Sequence, residues 1–104
     1  MYNVIVSKTE EEDLKTAASY ISNELKNETA AKNLIKAFNK TAMSLSEMPE
    51  RFPIINDDIL KKDNIRFTRI NNYLLFYTVH HYNNSVFVLR FLYGRRNWES
   101  ILKI

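Results

Sequence analysis

A change of hydrophobic period half-way along the chain limits the fold more than any other feature. Up to Leu45 the apolar residues recur every three or four positions, and from Ile65 they recur at every second one. The first period belongs to a helix with one buried face and the second to a strand. Between them lies Ser44-Leu-Ser-Glu-Met-Pro-Glu-Arg-Phe-Pro53, whose two prolines a helix cannot continue through. The chain therefore reads as helices followed by sheet, an α+β arrangement.

Residues 2–6 are β-prone and predict a first strand. Ser7 and Glu10 then form an S-x-x-E capping box, with Thr9 and Glu12 as a second candidate. The acidic run 10–13 falls in the first helical turn, where the helix dipole favours negative charge, and this explains it better than metal binding. Leu14, Ala17, Ala18, Ile21 and Leu25 make one face of a helix ending near Asn27. Thr29 opens a second helix, with Ala31, Leu34, Ile35, Phe38, Ala42 and Leu45 on one side. So short a gap predicts an antiparallel helical hairpin.

Residues 54–64 are mixed and charged, and read as a loop over the surface. Segments 65–70, 73–79 and 85–93 predict a three-stranded antiparallel meander, which the N-terminal strand joins. Asn71-Asn72 and Asn83-Asn84 supply its turns, because Asn tolerates positive φ. Gly94, the only glycine, predicts a tight turn with positive φ or a close backbone approach. Residues 98–104 have the length for a short terminal helix.

With 104 residues, the chain has room for a single domain spanning 1–104. Its 45% apolar and 26% charged residues fit a soluble globular protein. The absence of cysteine removes disulfides and thiolate metal sites and suits a reducing cytoplasm. The N-terminus carries no pattern of a signal or transit peptide, and the longest apolar run, 73–79, is too short to cross a bilayer. No membrane partner is expected. One glycine is too few for a Rossmann fingerprint or a phosphate-binding P-loop, so no nucleotide cofactor is expected either. His80 and His81 are adjacent, point to opposite faces of a strand and cannot chelate one ion, so no metal is expected.

Charge is unevenly spread. Residues 1–60 hold seven Lys/Arg against ten Asp/Glu; residues 61–104 hold eight against two, a net +6. Five of those eight are arginines: Arg66, Arg69, Arg90, Arg95 and Arg96. Arginine matches phosphate or carboxylate with two parallel hydrogen bonds, so this half should attract nucleic acid or an acidic protein segment. Arg66 and Arg69 should face opposite sides of their strand. Arg90, in the middle of an apolar strand, needs either a salt bridge across the sheet or an open face that offers it to a ligand. Arg95 and Arg96 project beyond the sheet. Trp98 beside them has two readings, as a platform for stacking a base or as an anchor tying the tail to the core.

The order of strand, hairpin and meander resembles the RelE/ParE toxins of type II toxin–antitoxin modules. Three stretches carry the resemblance: 44–53, quoted above; Asn72-Tyr-Leu-Leu-Phe-Tyr-Thr-Val79; and Val86-Phe-Val-Leu-Arg-Phe-Leu-Tyr-Gly-Arg-Arg-Asn-Trp-Glu99. The resemblance implies a growth-inhibiting toxin, also described as a plasmid-stabilisation protein, held inactive by a cognate antitoxin in a hetero-oligomer. Two targets follow from it, and beside the toxin readings stands a third, a plain nucleic-acid-binding module with a basic sheet and no toxicity. ParE-like members poison DNA gyrase without being nucleases, whereas RelE-like members cleave mRNA on the ribosome as mRNA interferases. For cleavage the family uses basic groups on the second and third meander positions, an arginine past the last strand and a C-terminal tyrosine. Arg66 or Arg69 would fill the first role, Arg95 or Arg96 that of the arginine, and His80, His81, Tyr77 or Tyr93 would substitute for missing groups. The nuclease pattern has an arginine after Tyr73 and a tyrosine in the tail; here the first position is Leu74, and residues 97–104 contain no tyrosine. Those departures favour the gyrase-poisoning reading, with Arg69, Arg90, Arg95, Arg96 and Trp98 as target-binding residues.

Overall fold

The computed structural model describes residues 1–58 and 60–102. Strand β1 (Asn3–Val6) leads into helix α1 (Lys8–Ser19), which continues as one π-helical turn, Tyr20–Glu24. Helix α2 (Glu28–Ser44) follows, then β2 (Arg66–Ile70), β3 (Tyr73–His80), β4 (Ser85–Tyr93) and α3 (Trp98–Leu102). The expected architecture is present, α3 included; residues 103 and 104, expected in that helix, lie outside the described residues.

The sheet order is β1-β4-β3-β2, so the N-terminal strand joins beside the last strand and runs parallel to it, Asn3 opposite Ser85 and Val6 opposite Val88. Both Asn-Asn turns use a left-handed asparagine, Asn71 at φ 54° and Asn84 at φ 51°. Gly94 does not have positive φ. Its role is close approach: its N–H donates to the Asn72 carbonyl at 2.8 Å, and a Cβ there would sit 3.2 Å from that oxygen.

One irregularity in the sheet decides which side chains enter the core. The β3–β4 register shifts between Phe76, opposite Arg90, and Tyr77, opposite Val88, leaving Leu89 as an extra residue. Strict alternation after Val86 and Val88 would have brought Arg90 to the helix-facing side. The bulge shifts the phase so that Phe91 takes that place, joining Leu75, Tyr77, Val86 and Val88 under Leu34, Phe38 and Leu45 of the hairpin. A second cluster covers the other face of the sheet: Leu74, Phe76 and Leu92 pack against Ile55, Leu60 and Ile65, with Trp98, Ile101 and Leu102 of α3. Segment 54–64 is mostly exposed, as expected of a surface loop, but among its described residues Ile55 and Leu60 are buried and Leu60–Asp63 forms a 3-10 turn. Ile55 and Leu60 are pulled in because this face of the sheet is as apolar as the first and needs cover.

The hairpin turn is tighter at α2 than the sequence suggests. Asn27 caps α2 by accepting from the Ala30 N–H at 3.0 Å, one residue before the expected start, and Lys26 takes φ 52° to turn the chain. Among the described residues, no helix is long and apolar enough to cross a membrane.

Candidate functional site

Helix α1 crosses the edge of the sheet where β1 stops. Beyond Val88, β4 has no strand on that side, and α1 supplies the missing hydrogen-bonding groups. The Ser7 hydroxyl donates to the Leu89 carbonyl at 2.9 Å. Asp13 accepts from the Phe91 N–H at 3.0 Å and takes Arg90 through both oxygens, at 2.7 and 3.0 Å. The structure therefore places Arg90 in an ion pair inside the fold, both side chains largely covered.

The arginines at the other candidate positions separate into two groups. Arg66 points towards the segment after α2, donating to the Glu50 and Phe52 carbonyls and pairing with the Glu50 carboxylate at 3.2 Å. Arg69 lies on the opposite side of β2, level with Leu74, its guanidinium over Gly94. It thus sits beside Arg95 and Arg96. All three are exposed, and among the described residues none of them forms an ion pair. Trp98 packs its ring 5.4 Å from that of Phe76.

His80 and His81 are far from this group. β3 begins beside the arginine end at Tyr73 and ends at His80, and seven residues at about 3.4 Å each separate the two by roughly 24 Å. His80 is held by Thr78 at 3.0 Å, with its ring edge-on to Phe87. His81 contacts the Tyr2 hydroxyl at 2.7 Å and Glu50 at 3.4 Å. Among the described residues there is no cluster of three side chains able to hold a metal.

Between the hairpin tip and the arginine end runs an open groove of about 850 Å³. Its floor is apolar, made by Ala17, Ile21, Leu34 and Phe91. Its rim carries Tyr20, Tyr73, Tyr93 and Arg96, with Asp13 on one wall. The π-turn widens the helix here, so that Tyr20, Ile21 and Leu25 all reach the groove. Tyr73 stacks on Phe91 at 5.1 Å and meets Tyr93 edge-on at 5.6 Å. Burial, with the Tyr93 and Tyr20 phenols nearby, raises the Tyr73 hydroxyl above its ordinary range, so it stays neutral. The sequence reading missed this groove: its one visible trace is the exposed Tyr20 and Leu25, larger apolar side chains than a solvated helix end needs.

A scan of family models matches residues 4–98 to the ParE toxin of the type II toxin–antitoxin system parDE. The chain belongs to the ParE toxin family. Among curated proteins none matches this ParE-family chain in sequence. Solved structures share its fold. One is from the chromosomal ParDE toxin–antitoxin system of P. aeruginosa, with TM-score 0.71 and 10% identity over 89% of this chain and 96% of that one. Another is from the RelBE2 toxin–antitoxin complex of Mycobacterium tuberculosis, with TM-score 0.66 and 19% identity over 88% of this chain and 96% of that one. In the ParE-family fold seen here, Leu74, which stands where the nuclease pattern has arginine, is buried in the second core.

Proposed function

We propose that this chain arrests bacterial growth by binding DNA gyrase through the arginine end of its sheet, and that an antitoxin silences it by laying an amphipathic segment in the groove. The observation that carries this reading is the separation of charge from acid–base chemistry. Cleavage at a ribose 2′-hydroxyl needs a base and an acid within about 3 Å of the reacting atoms, together with a cation to stabilise the phosphate. Here the unpaired arginines lie about 24 Å from the histidines along β3, and burial holds the Tyr73 hydroxyl above its ordinary range, so it offers no base. Three guanidiniums that form no ion pair among the described residues make a binding surface on this reading. Arg66 and Arg90, already committed to Glu50 and Asp13, hold the fold together on this reading, and Trp98 anchors the tail. Both proteins would act in the cytoplasm, where their target is.

The groove suits an antitoxin segment because it has an apolar floor for an anchoring side chain and Arg96 at its rim for an acidic one. Filling it should separate the two activities. Ala30→Trp, at the hairpin end of the groove, is expected to keep growth arrest while losing rescue by the co-expressed antitoxin. Rescue undiminished by this substitution places the antitoxin elsewhere.

Arg95→Ala with Arg96→Ala is expected to abolish growth arrest in cells expressing the chain alone, with the melting temperature unchanged. Arrest by the folded double variant would remove these arginines from the target interface. Pulse labelling in the first minutes after induction identifies the target. Early loss of thymidine incorporation with a DNA-damage response is the expected result. Early collapse of methionine incorporation with DNA synthesis continuing would assign the chain to the ribosome instead.

A further inference from the structure

The acidic half of the chain contains a basic surface of its own. Lys32, Lys36 and Lys40 lie at i, i+4 and i+8 of α2, all exposed, on the side away from Leu34 and Phe38. At 1.5 Å per residue they form a straight row about 12 Å long with one ammonium roughly every 6 Å. Like charges at this spacing repel, each pair costing about 0.2–0.5 kcal/mol of helix stability. Little nearby relieves that cost. Lys36 and Lys40 have no acidic residue three or four positions away in α2, Lys32 has only Glu28, and among the described residues none of the three forms an ion pair. The neighbouring stretch of the hairpin, Ala18, Ser19, Ser22 and Asn23, is neutral. Asn33 and Asn39 flank the row and add hydrogen-bonding amides.

We infer that this lysine row on α2 docks the phosphate backbone of duplex DNA. A convex helix with evenly spaced point charges tracks successive phosphates without reading bases, and lysine suits contacts that need charge but no fixed geometry. The inference rests on the gyrase reading only for its choice of DNA over RNA: a toxin whose arginines meet a DNA-bound enzyme would hold the DNA with a second surface. The row lies on the hairpin's outer side, away from the sheet-facing groove, so it would stay open when the groove is filled.

The test is fluorescence anisotropy of a labelled 20-base-pair DNA duplex with the purified chain, from 50 to 200 mM salt. Three phosphate contacts should contribute about 2.7 to the slope of log affinity against log salt, a loss of about 40-fold across that range. Lys32→Gln with Lys36→Gln and Lys40→Gln is expected to flatten the slope by about that amount and to weaken binding at 50 mM at least tenfold. Lys61→Gln with Lys62→Gln, two exposed lysines outside both surfaces, is expected to leave the slope within one unit of the unsubstituted chain. A slope unchanged by the triple substitution, or no binding at 50 mM, overturns the inference. Tighter binding to an RNA hairpin of equal length overturns the assignment to DNA. No gyrase is present in this assay, so its outcome is independent of whether the chain inhibits supercoiling.

Discussion

Asp13→Ala should lower the folding stability by about 3 kcal/mol, a fall in Tm of more than 10 °C for a chain of this size, read by thermal denaturation at neutral pH. The carboxylate has two dependants. It neutralises Arg90 through two hydrogen bonds and satisfies the Phe91 N–H, the donor that β4 exposes where β1 has ended. Removing one member of a largely covered ion pair leaves the other charge uncompensated, which costs about 3–5 kcal/mol; Arg90 keeps some access to water, so the lower figure applies. A second substitution divides the effect between the two dependants. Asp13→Ala with Arg90→Met removes the stranded charge but not the stranded N–H, and should recover all but about 1–2 kcal/mol. A double variant no more stable than Asp13→Ala alone would mean that the ion pair contributes nothing and that the backbone cap is the whole of the effect.

That pair also shows what the sequence could and could not reveal. Arg90 in an apolar strand signalled that it needed a partner or an open face, but the partner lies 77 positions away in α1, inside a run fully explained as helix-dipole chemistry. The strand itself was legible because Asn84 and Gly94 mark its two ends, and its observed span, Ser85–Tyr93, matches the reading. The bulge was not legible: Val86-Phe-Val-Leu-Arg-Phe shows a broken alternation only once it is known which face the helices cover. Ile55 and Leu60 were missed because the isolated pairs Ile54-Ile55 and Ile59-Leu60 follow neither the helical nor the strand period, and only the apolar back of the sheet calls them inward. The π-turn at Tyr20 has no residue signature, and the large apolar Tyr20 and Leu25 near the helix end are the one trace of the groove it opens. The three arginines that remain free were all among the candidates, since net charge survives any fold; their isolation from the histidines depends on the length of β3.

Glu10→Gln should stabilise the chain above neutral pH and do little at pH 4. Ser7 and Glu10 were expected to form a reciprocal capping box, and only half of it exists. The Ser7 hydroxyl accepts from the Glu10 N–H at 2.9 Å, but the Ser7 N–H is spent on the Val88 carbonyl, in the parallel pairing of β1 with β4. The Glu10 carboxylate is left without the donor a capping box would give it. It continues the series Glu10, Leu14, Ala17, Ile21 on the buried face of α1, is wholly inaccessible, and among the described residues neither of its oxygens has a hydrogen-bond partner. Burial, with repulsion from Asp13 and Glu11, raises its pKa from 4.5 to about 7. The folded chain therefore keeps this proton over a range in which the unfolded chain has lost it. Below about pH 4.5 the group costs nothing on this account; between there and pH 7 stability falls as the folded state is forced to ionise or to hold its proton; above pH 7 the full cost, about 3 kcal/mol, is in place. Gln keeps the shape and cannot ionise. The difference in Tm between Glu10→Gln and the unsubstituted chain should grow from near zero at pH 4 to more than 10 °C at pH 8, comparing the two at each pH so that every other titrating group cancels. A difference that stays constant with pH would mean that Glu10 finds water or a cation when ionised, and that its burial carries no charge penalty.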